Sequence, residues 1–376
     1  MSQPPIKQLI DDELAHLLTV KASNRPWHLP LLAALTISLP VLIGALTGAL
    51  AMGIQSSLGA MVILNLPTVG SLWQRQRTLL YCALAMSSSF GLGLLAQNIP
   101  SLRLPMFALI TFSLVMAGRY WRLPPPAGLF IVMAGAIALF MPIPLAQIPA
   151  KVAVVATGSI FAWLLALAYN VLLLKLLPQA EATTTTTASS IGNNSAPHKT
   201  ARDPALIPES LIVTGFVVLA LAVALWLDLS HPYWVPMSCF IVMQGMHLRT
   251  MWIKQLHRLL GTLAGIFVAW GLLSIALPPI GVAVTIFLMM IWIETMITRH
   301  YGLAVMIITP LTIFIAEFGG GHAPGLAGQG SVAAQALMEA RLLDTALGCF
   351  IALLGGVFMH SKLVKRAVAA TAAKVN

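Results

Sequence analysis

Apolar residues run through this chain in long blocks, separated by short polar or proline-glycine breaks. Twelve blocks approach the length that a membrane-crossing helix needs, about 20 mostly apolar residues. They cover 28–46, 48–66, 78–97, 104–118, 125–143 and 151–176, then 208–227, 232–247, 258–276, 279–297, 301–317 and 341–360. The stretch "QAEATTTTTASSIGNNSAPHKTARDPA" divides them six and six; it is polar, low in complexity and unable to bury a core. The pattern predicts an all-α integral membrane protein of about twelve transmembrane helices, arranged as two parallel six-helix repeats. The expected divisions are a membrane half over 28–176, a flexible cytoplasmic linker over 177–207, a second half over 208–362 and a basic tail over 363–376.

The first 27 residues read differently. Ile6, Leu9, Ile10, Leu14, Leu17 and Leu18 recur at helical spacing, with Lys7, Asp11, Asp12 and Glu13 on other faces. This predicts an amphipathic helix on the membrane surface or against the bundle rather than a cleaved signal, which carries a basic start and a small-residue cleavage site.

Composition narrows the class. Hydrophobic residues make up 59% of the chain and charged residues only 9%, where soluble domains carry about 25% charged. An ordinary cytosolic enzyme is excluded. The net charge of +10 does not imply nucleic acid, because the basic residues fall in short clusters between apolar blocks. With both termini in the cytoplasm, every Lys and Arg except Arg103, Lys151 and Arg341 lies on that side. Inverting the chain or deleting a span destroys the segregation, so the positive-inside rule favours this orientation. Cys82, Cys239 and Cys349 sit inside apolar blocks at unrelated spacings and read as small hydrophobes. No metal set, cofactor loop or paired nucleophile and base occurs; no cofactor and no enzymatic activity are expected.

The halves resemble one another. A shift of 181 residues lays "WQRQRTLLYCA" over "KQLHRLLGTLA", pairing Gln74 with Gln255 and Arg77 with Arg258, and brings Tyr120 onto Tyr301. Further on the shift is 190, pairing Lys151 with Arg341 and Gly158 with Gly348. Six spans return the chain to the same side, so the repeats run parallel about an axis along the membrane normal.

Chemistry concentrates in the second half. "HPYWVPMSCFIVMQG" sets His231, Tyr233 and Trp234 at the outer mouth of a span, where the aromatic pair also suits a membrane–water boundary. Gln244, deeper in that span, carries an amide that needs a polar partner. "QLHRLLGTLAG" places Arg258 at the cytoplasmic mouth of the next span with Thr262 one turn deeper, and Gly261 and Gly265 form a small-residue pair for close helix packing. Arg258 alone reads equally as a topological anchor, whereas Arg77 and Arg258 together could face one another across a pore. "IETMITRHYGLAVMIITP" brings Glu294, Arg299 and Tyr301 near the cytoplasmic surface; Glu294 either pairs with a basic neighbour or titrates. In "ARLLDTALG", Arg341 and Asp344 share a helical face at the outer boundary, as an ion pair or with Asp344 as a proton-titrating acid. Asp344 falls opposite Val154, so that role would belong to one half.

Four of these stretches, "HPYWVPMSCFIVMQG", "KQLHRLLGTLAG", "RHYGLAVMIITP" and "RLLDTALG", resemble in order and spacing the second transmembrane half of the fusaric acid resistance, or aromatic acid exporter, family (FUSC), over roughly 231–350. The first half is similar only in span pattern and its "RQR" segment. The resemblance implies a bacterial inner-membrane efflux protein for small organic anions such as aromatic carboxylic acids or fusaric-acid-like toxins. Longer members add a large cytoplasmic domain after a six-span set, where this chain has only the polar linker.

The expected function is therefore proton-coupled export of such anions, with a passive organic-anion channel as the alternative. Arg77, Arg258 and Arg299 would attract the carboxylate, while Gln244, Thr262, Tyr301 and aromatic groups hold the ring. His231, Tyr233 and Trp234 would lie near the exit, and Asp344 or Glu294 would couple protons. The expected partners are the lipid bilayer and the anions themselves; a homo-oligomer or a periplasmic adaptor is left open.

Overall fold

The computed structural model describes residues 19–23, 25–68, 70–121, 123, 126, 128–176, 206–244, 248–275, 277–319 and 330–361. The amphipathic segment up to residue 18, the linker up to 205 and the tail from 363 lie outside the described residues. What is described is helical: α1 His28–Leu46, α2 Leu50–Ala60, α3 Leu72–Ala96, α4 Pro100–Tyr120, α5 Leu129–Ala138, α6 Ile148–Leu176, α7 Leu206–Trp226, α8 Trp234–Met243, α9 Leu248–Leu273, α10 Pro279–Met296, α11 Tyr301–Gly319 and α12 Gly330–His360. A 3₁₀ turn, Met61–Asn65, extends α2. The chain is an all-α, multi-pass membrane protein.

Eight of the helices have the length and apolarity to cross a bilayer. Three other apolar helices are shorter, over Leu50–Asn65, Leu129–Ala138 and Trp234–Met243, while α11 has 19 residues, as many as α1. At 10 residues α8 is only about 15 Å long, half the thickness of a hydrocarbon core. Such a helix is stable in a membrane only when protein covers its ends, and α8 is buried from Trp234 to Phe240. The sequence pattern predicts full spans at 48–66, 125–143 and 232–247 as well; it registers apolarity, not where the backbone stops being helical.

The two sets of six pack alike. Within the first set α1 lies on α2, α2 on α6, and α3 on α5 and α6; within the second, α7 lies on α8, α8 on α12, and α9 on α11 and α12. Between the sets the contacts are reciprocal, α4 against α7 and α10 against α1. The ends of α1 and α7 match in detail. Ala49 donates its backbone N–H to the Gly44 carbonyl and Leu229 to that of Ala224, across Gly48 at φ 74° and Asp228 at φ 52°. Each is a left-handed helix stop in which the amide reaches back five residues. Glycine adopts that conformation freely, whereas Asp228 is one of the few side chains that tolerate it.

Glycines set the closest helix crossings. A methyl group on Gly261 would lie 2.7 Å from the Gly302 carbonyl, and one on Gly265 2.6 Å from that of Met306. The Gly261/Gly265 pair thus brings α9 onto α11, as the small-residue spacing predicts. Pro310, inside α11, has no N–H to offer the Met306 carbonyl one turn back; that oxygen faces the bare side of Gly265 instead. Gly158 meets the Ser56 backbone on α2, and Gly348 meets Val235 and Ser238 on α8. The two glycines that align in sequence therefore serve the same crossing, α2 on α6 and α8 on α12.

The segment before α1 is tied to the turn between α10 and α11. Arg25 pairs with Glu294 at 2.8 Å, the Lys21 amide donates to the Arg299 carbonyl, and the Ser23 and Thr298 hydroxyls meet at 3.0 Å. Glu294, 9% exposed in its side chain, is left unpaired if Arg25 is removed, at a cost of about 1–3 kcal/mol. Arg25→Ala is expected to lower stability by that amount and speed tryptic cleavage at Lys21, read by gel; an unchanged cleavage rate would show that the tie does not hold the segment.

Candidate functional site

The chain turns between α7 and α8 through "SHPYW". The Trp234 amide donates to the His231 carbonyl, opening α8, and the prolines fall where the first helical amides need no partner. Trp234 is thereby fixed at the start of α8 with its indole buried. Because Gly348 seats α12 directly on α8, the residue two turns earlier, Arg341, reaches this indole, its guanidinium 3.7 Å from the ring centroid. A desolvated cation over tryptophan is worth about 2 kcal/mol.

Arg258 approaches from α9. One terminal nitrogen donates to Ser238 Oγ on α8 at 3.1 Å and the other to the Tyr301 hydroxyl on α11 at 3.3 Å. Gln255, one turn earlier, donates its side-chain amide to the Cys349 carbonyl and so ties α9 to α12. The site therefore draws on four helices of the second half. Arg341 lies within electrostatic reach of both Arg258 and Asp344.

These charges are deeply buried: Arg258 is 3% exposed, Arg341 4% and Asp344 1%. Their hydrogen bonding is incomplete. Arg258 Nε, Arg341 Nε and Nη1, and both Asp344 carboxylate oxygens have no hydrogen-bond partner. Asp344 and Arg341 do not form the ion pair that their spacing allows; among the described residues the ion pairs are Arg25–Glu294 and Arg119–Glu209. Burying an ion without full satisfaction costs several kcal/mol. Two guanidiniums against one carboxylate leave one net positive charge, with N–H groups free to receive an oxyanion.

His231 and Tyr233 stand beside this cluster. The imidazole packs edge-on against the phenol at 6.0 Å, and Tyr233 packs on Trp234 at 5.0 Å. Burial, reinforced by the Arg341 guanidinium, holds His231 below the ordinary imidazole pKa. Thr262 is buried one turn beyond Arg258 on α9. Gln244 closes α8 and is half-buried.

Other candidates go elsewhere. Glu294 takes the basic partner, in Arg25. Arg299 is exposed on the α10–α11 turn and offers its backbone carbonyl to Lys21. Arg77 is exposed on α3, beside Tyr81, so it does not share the environment of buried Arg258. Two residues of the cluster were undervalued in the sequence. The sequence pairs Arg341 only with Asp344, whereas in the structure, three turns into α12, it meets the Trp234 ring. Ser238, between Met237 and Cys239, carries no signal until its hydroxyl is seen facing Arg258.

Residues 219–355 match the family model described as fusaric acid resistance protein-like. Over these residues the chain is similar to the FUSC family. The match runs from within α7 to near the end of α12 and takes in every member of the cluster. A relative from Bacillus subtilis (strain 168), named "Uncharacterized membrane protein YvaC", is 30% identical over 136 residues, which is 36% of this chain and 20% of the relative. The chain thus spans about a fifth of the length of the curated relative that it matches. No solved structure matches it. In the FUSC-like half, the four stretches that carried the resemblance in sequence are those that α8, α9, α11 and α12 bring together around Arg258 and Arg341.

Proposed function

We propose that the protein is a bacterial inner-membrane transporter, both termini cytoplasmic, exporting small organic anions, with aromatic carboxylic acids as the substrate class. The observation that carries this reading is the buried pair Arg258 and Arg341, which has free N–H groups and, among the described residues, one acidic neighbour, Asp344. A carboxylate arriving between them would bring the cluster to neutrality and satisfy donors that the protein leaves open. Trp234 and Tyr233 offer aromatic faces beside the guanidiniums, suited to the ring of such an acid. The corresponding position of short α8 and short α2 in the two sets adds support, since interrupted helices in matching places mark the binding level of repeat-built transporters.

Asp344 supplies a coupling group. With the anion bound, its carboxylate faces a second negative charge, which favours taking up a proton. Binding of acid and proton would thus assist one another, which distinguishes a proton-coupled carrier from an open channel. Vesicles containing the protein and loaded with salicylate are expected to release it faster under a pH gradient than under voltage alone, and Asp344→Asn is expected to remove that dependence. Flux that follows voltage only, in parent and variant alike, favours the channel; no flux of any aromatic acid sinks both.

A further inference from the structure

A second place in the molecule combines a cation with an apolar hollow, and it lies in the other half. Between α3, α4 and α5 there is a cleft of about 410 Å³, within the range of small-ligand sites, roughly 300–1,000 Å³. Gln74, Arg77 and Thr78 form its polar end; Ala85, Leu114 and Ile131 form an apolar floor. Arg77 and Ala85 are eight residues apart on α3, so the polar end and the floor are separated by about 12 Å. The lip is made by Tyr81 and Trp121, whose rings stack at 6.1 Å and 14°.

The polar end is rigid and electrically incomplete. Ser71 and Gln74 cap α3 reciprocally, each side chain accepting the other's backbone N–H, which fixes the turn that carries Arg77. The Arg77 guanidinium reaches the Tyr81 hydroxyl at 3.5 Å and stands 5.9 Å from its ring. No carboxylate among the described residues is within ion-pair distance of it. The N-terminal end of the α3 dipole adds positive potential at the same point.

The flank of the cleft faces outward and is apolar. Leu80, Tyr81 and Leu84 are 42%, 49% and 58% exposed on α3, and Trp121 is 59% exposed at the end of α4. Leucines exposed on a spanning helix face acyl chains, and Tyr and Trp concentrate at headgroup level. An occupant entering from this side therefore comes from the bilayer. We propose that the cleft holds one anionic phospholipid, its phosphate on Arg77 and an acyl chain along the floor beneath Tyr81 and Trp121. The site is separate from the Arg258–Arg341 cluster and stands whatever that cluster carries.

The full chain, purified in detergent with equal amounts of dioleoyl phosphatidylglycerol and dioleoyl phosphatidylcholine, tests this by native mass spectrometry. The parent is expected to retain phosphatidylglycerol in preference. Arg77→Gln should weaken that retention about fivefold, the contribution of one arginine at a lipid surface, with phosphatidylcholine unchanged. Ala117→Phe, which fills the cleft and leaves Arg77 in place, should lose the preference as well; Ala85→Phe, on the cleft floor, serves the same purpose if Ala117→Phe does not fold. Parent-like retention in Arg77→Gln overturns the proposal. So does loss in Arg77→Gln alone, which marks a general surface charge, and so does displacement of the lipid by millimolar salicylate, which marks the cleft as a site for the free acid.

Discussion

Arg258→Gln is expected to reduce salicylate flux in reconstituted vesicles at least tenfold, without loss of folded protein. A hydrogen bond to a charged group contributes about 1.5–3 kcal/mol, and 1.4 kcal/mol is a factor of ten. Losing one such bond to a bound carboxylate therefore reaches the stated size. The charge argument acts in the same direction: without Arg258, Arg341 and Asp344 sum to zero and the site no longer favours an anion. Arg258→Lys should recover part of the flux, since it keeps the charge but not the planar fork that meets two oxygens at once. Arg119→Gln, which breaks a half-exposed ion pair with Glu209, serves as the control and should transport as the parent does. Parent-like flux in Arg258→Gln removes this arginine from the pathway.

Gly158→Ala and Gly348→Ala are expected to be the most destabilising single substitutions proposed for this protein. A methyl group at 158 falls onto the Ser56 carbonyl, and one at 348 meets the Val235 carbonyl and stands 2.6 Å from Ser238 Cβ. The obstacles are largely backbone, so whole helices must move apart, at about 3 kcal/mol each, the upper end of ordinary overpacking. Gly215 supplies the contrast, because nothing lies within 4 Å of an added Cβ there. Gly215→Ala should gain about 0.5–1 kcal/mol from helix propensity. Unfolding in mixed micelles titrated with dodecyl sulfate measures all three. At 348 the displacement also draws Arg341 away from Trp234, so flux should fall there more than at 158. Equal midpoints for Gly348→Ala and Gly215→Ala would show that the crossing yields easily.

Much of this arrangement is legible before any coordinates. The helical, membrane-crossing character of the chain and the glycine pair on α9 follow from apolar blocks and small-residue spacing, because lipid admits little else. The matching ends of α1 and α7 are harder to see: Gly48 and Asp228 look unlike, and only their shared backbone twist relates them. The candidate cluster was half legible. Arg258, Asp344, Trp234 and Tyr301 stand out as polar or aromatic groups in apolar blocks. Arg341 is legible only as a neighbour of Asp344; its contact with the Trp234 ring joins residues more than a hundred positions apart, which no local pattern shows. The alignment of Arg77 with Arg258 misled for a related reason: equivalent positions on equivalent helices need not share a degree of burial. Arg25 as the partner of Glu294 was invisible, since nothing local joins residues so distant in sequence.

The reciprocal contacts between the two sets bear on how such a protein came about. A single six-helix unit leaves the apolar flanks of its first and fourth helices uncovered, and what covers them here is the fourth and first helix of the other unit. An ancestor of half this length would have needed a second copy of itself to close those flanks. Joining two such copies in one gene would free them to diverge, so that one could bury its arginine while the other kept its own at the surface.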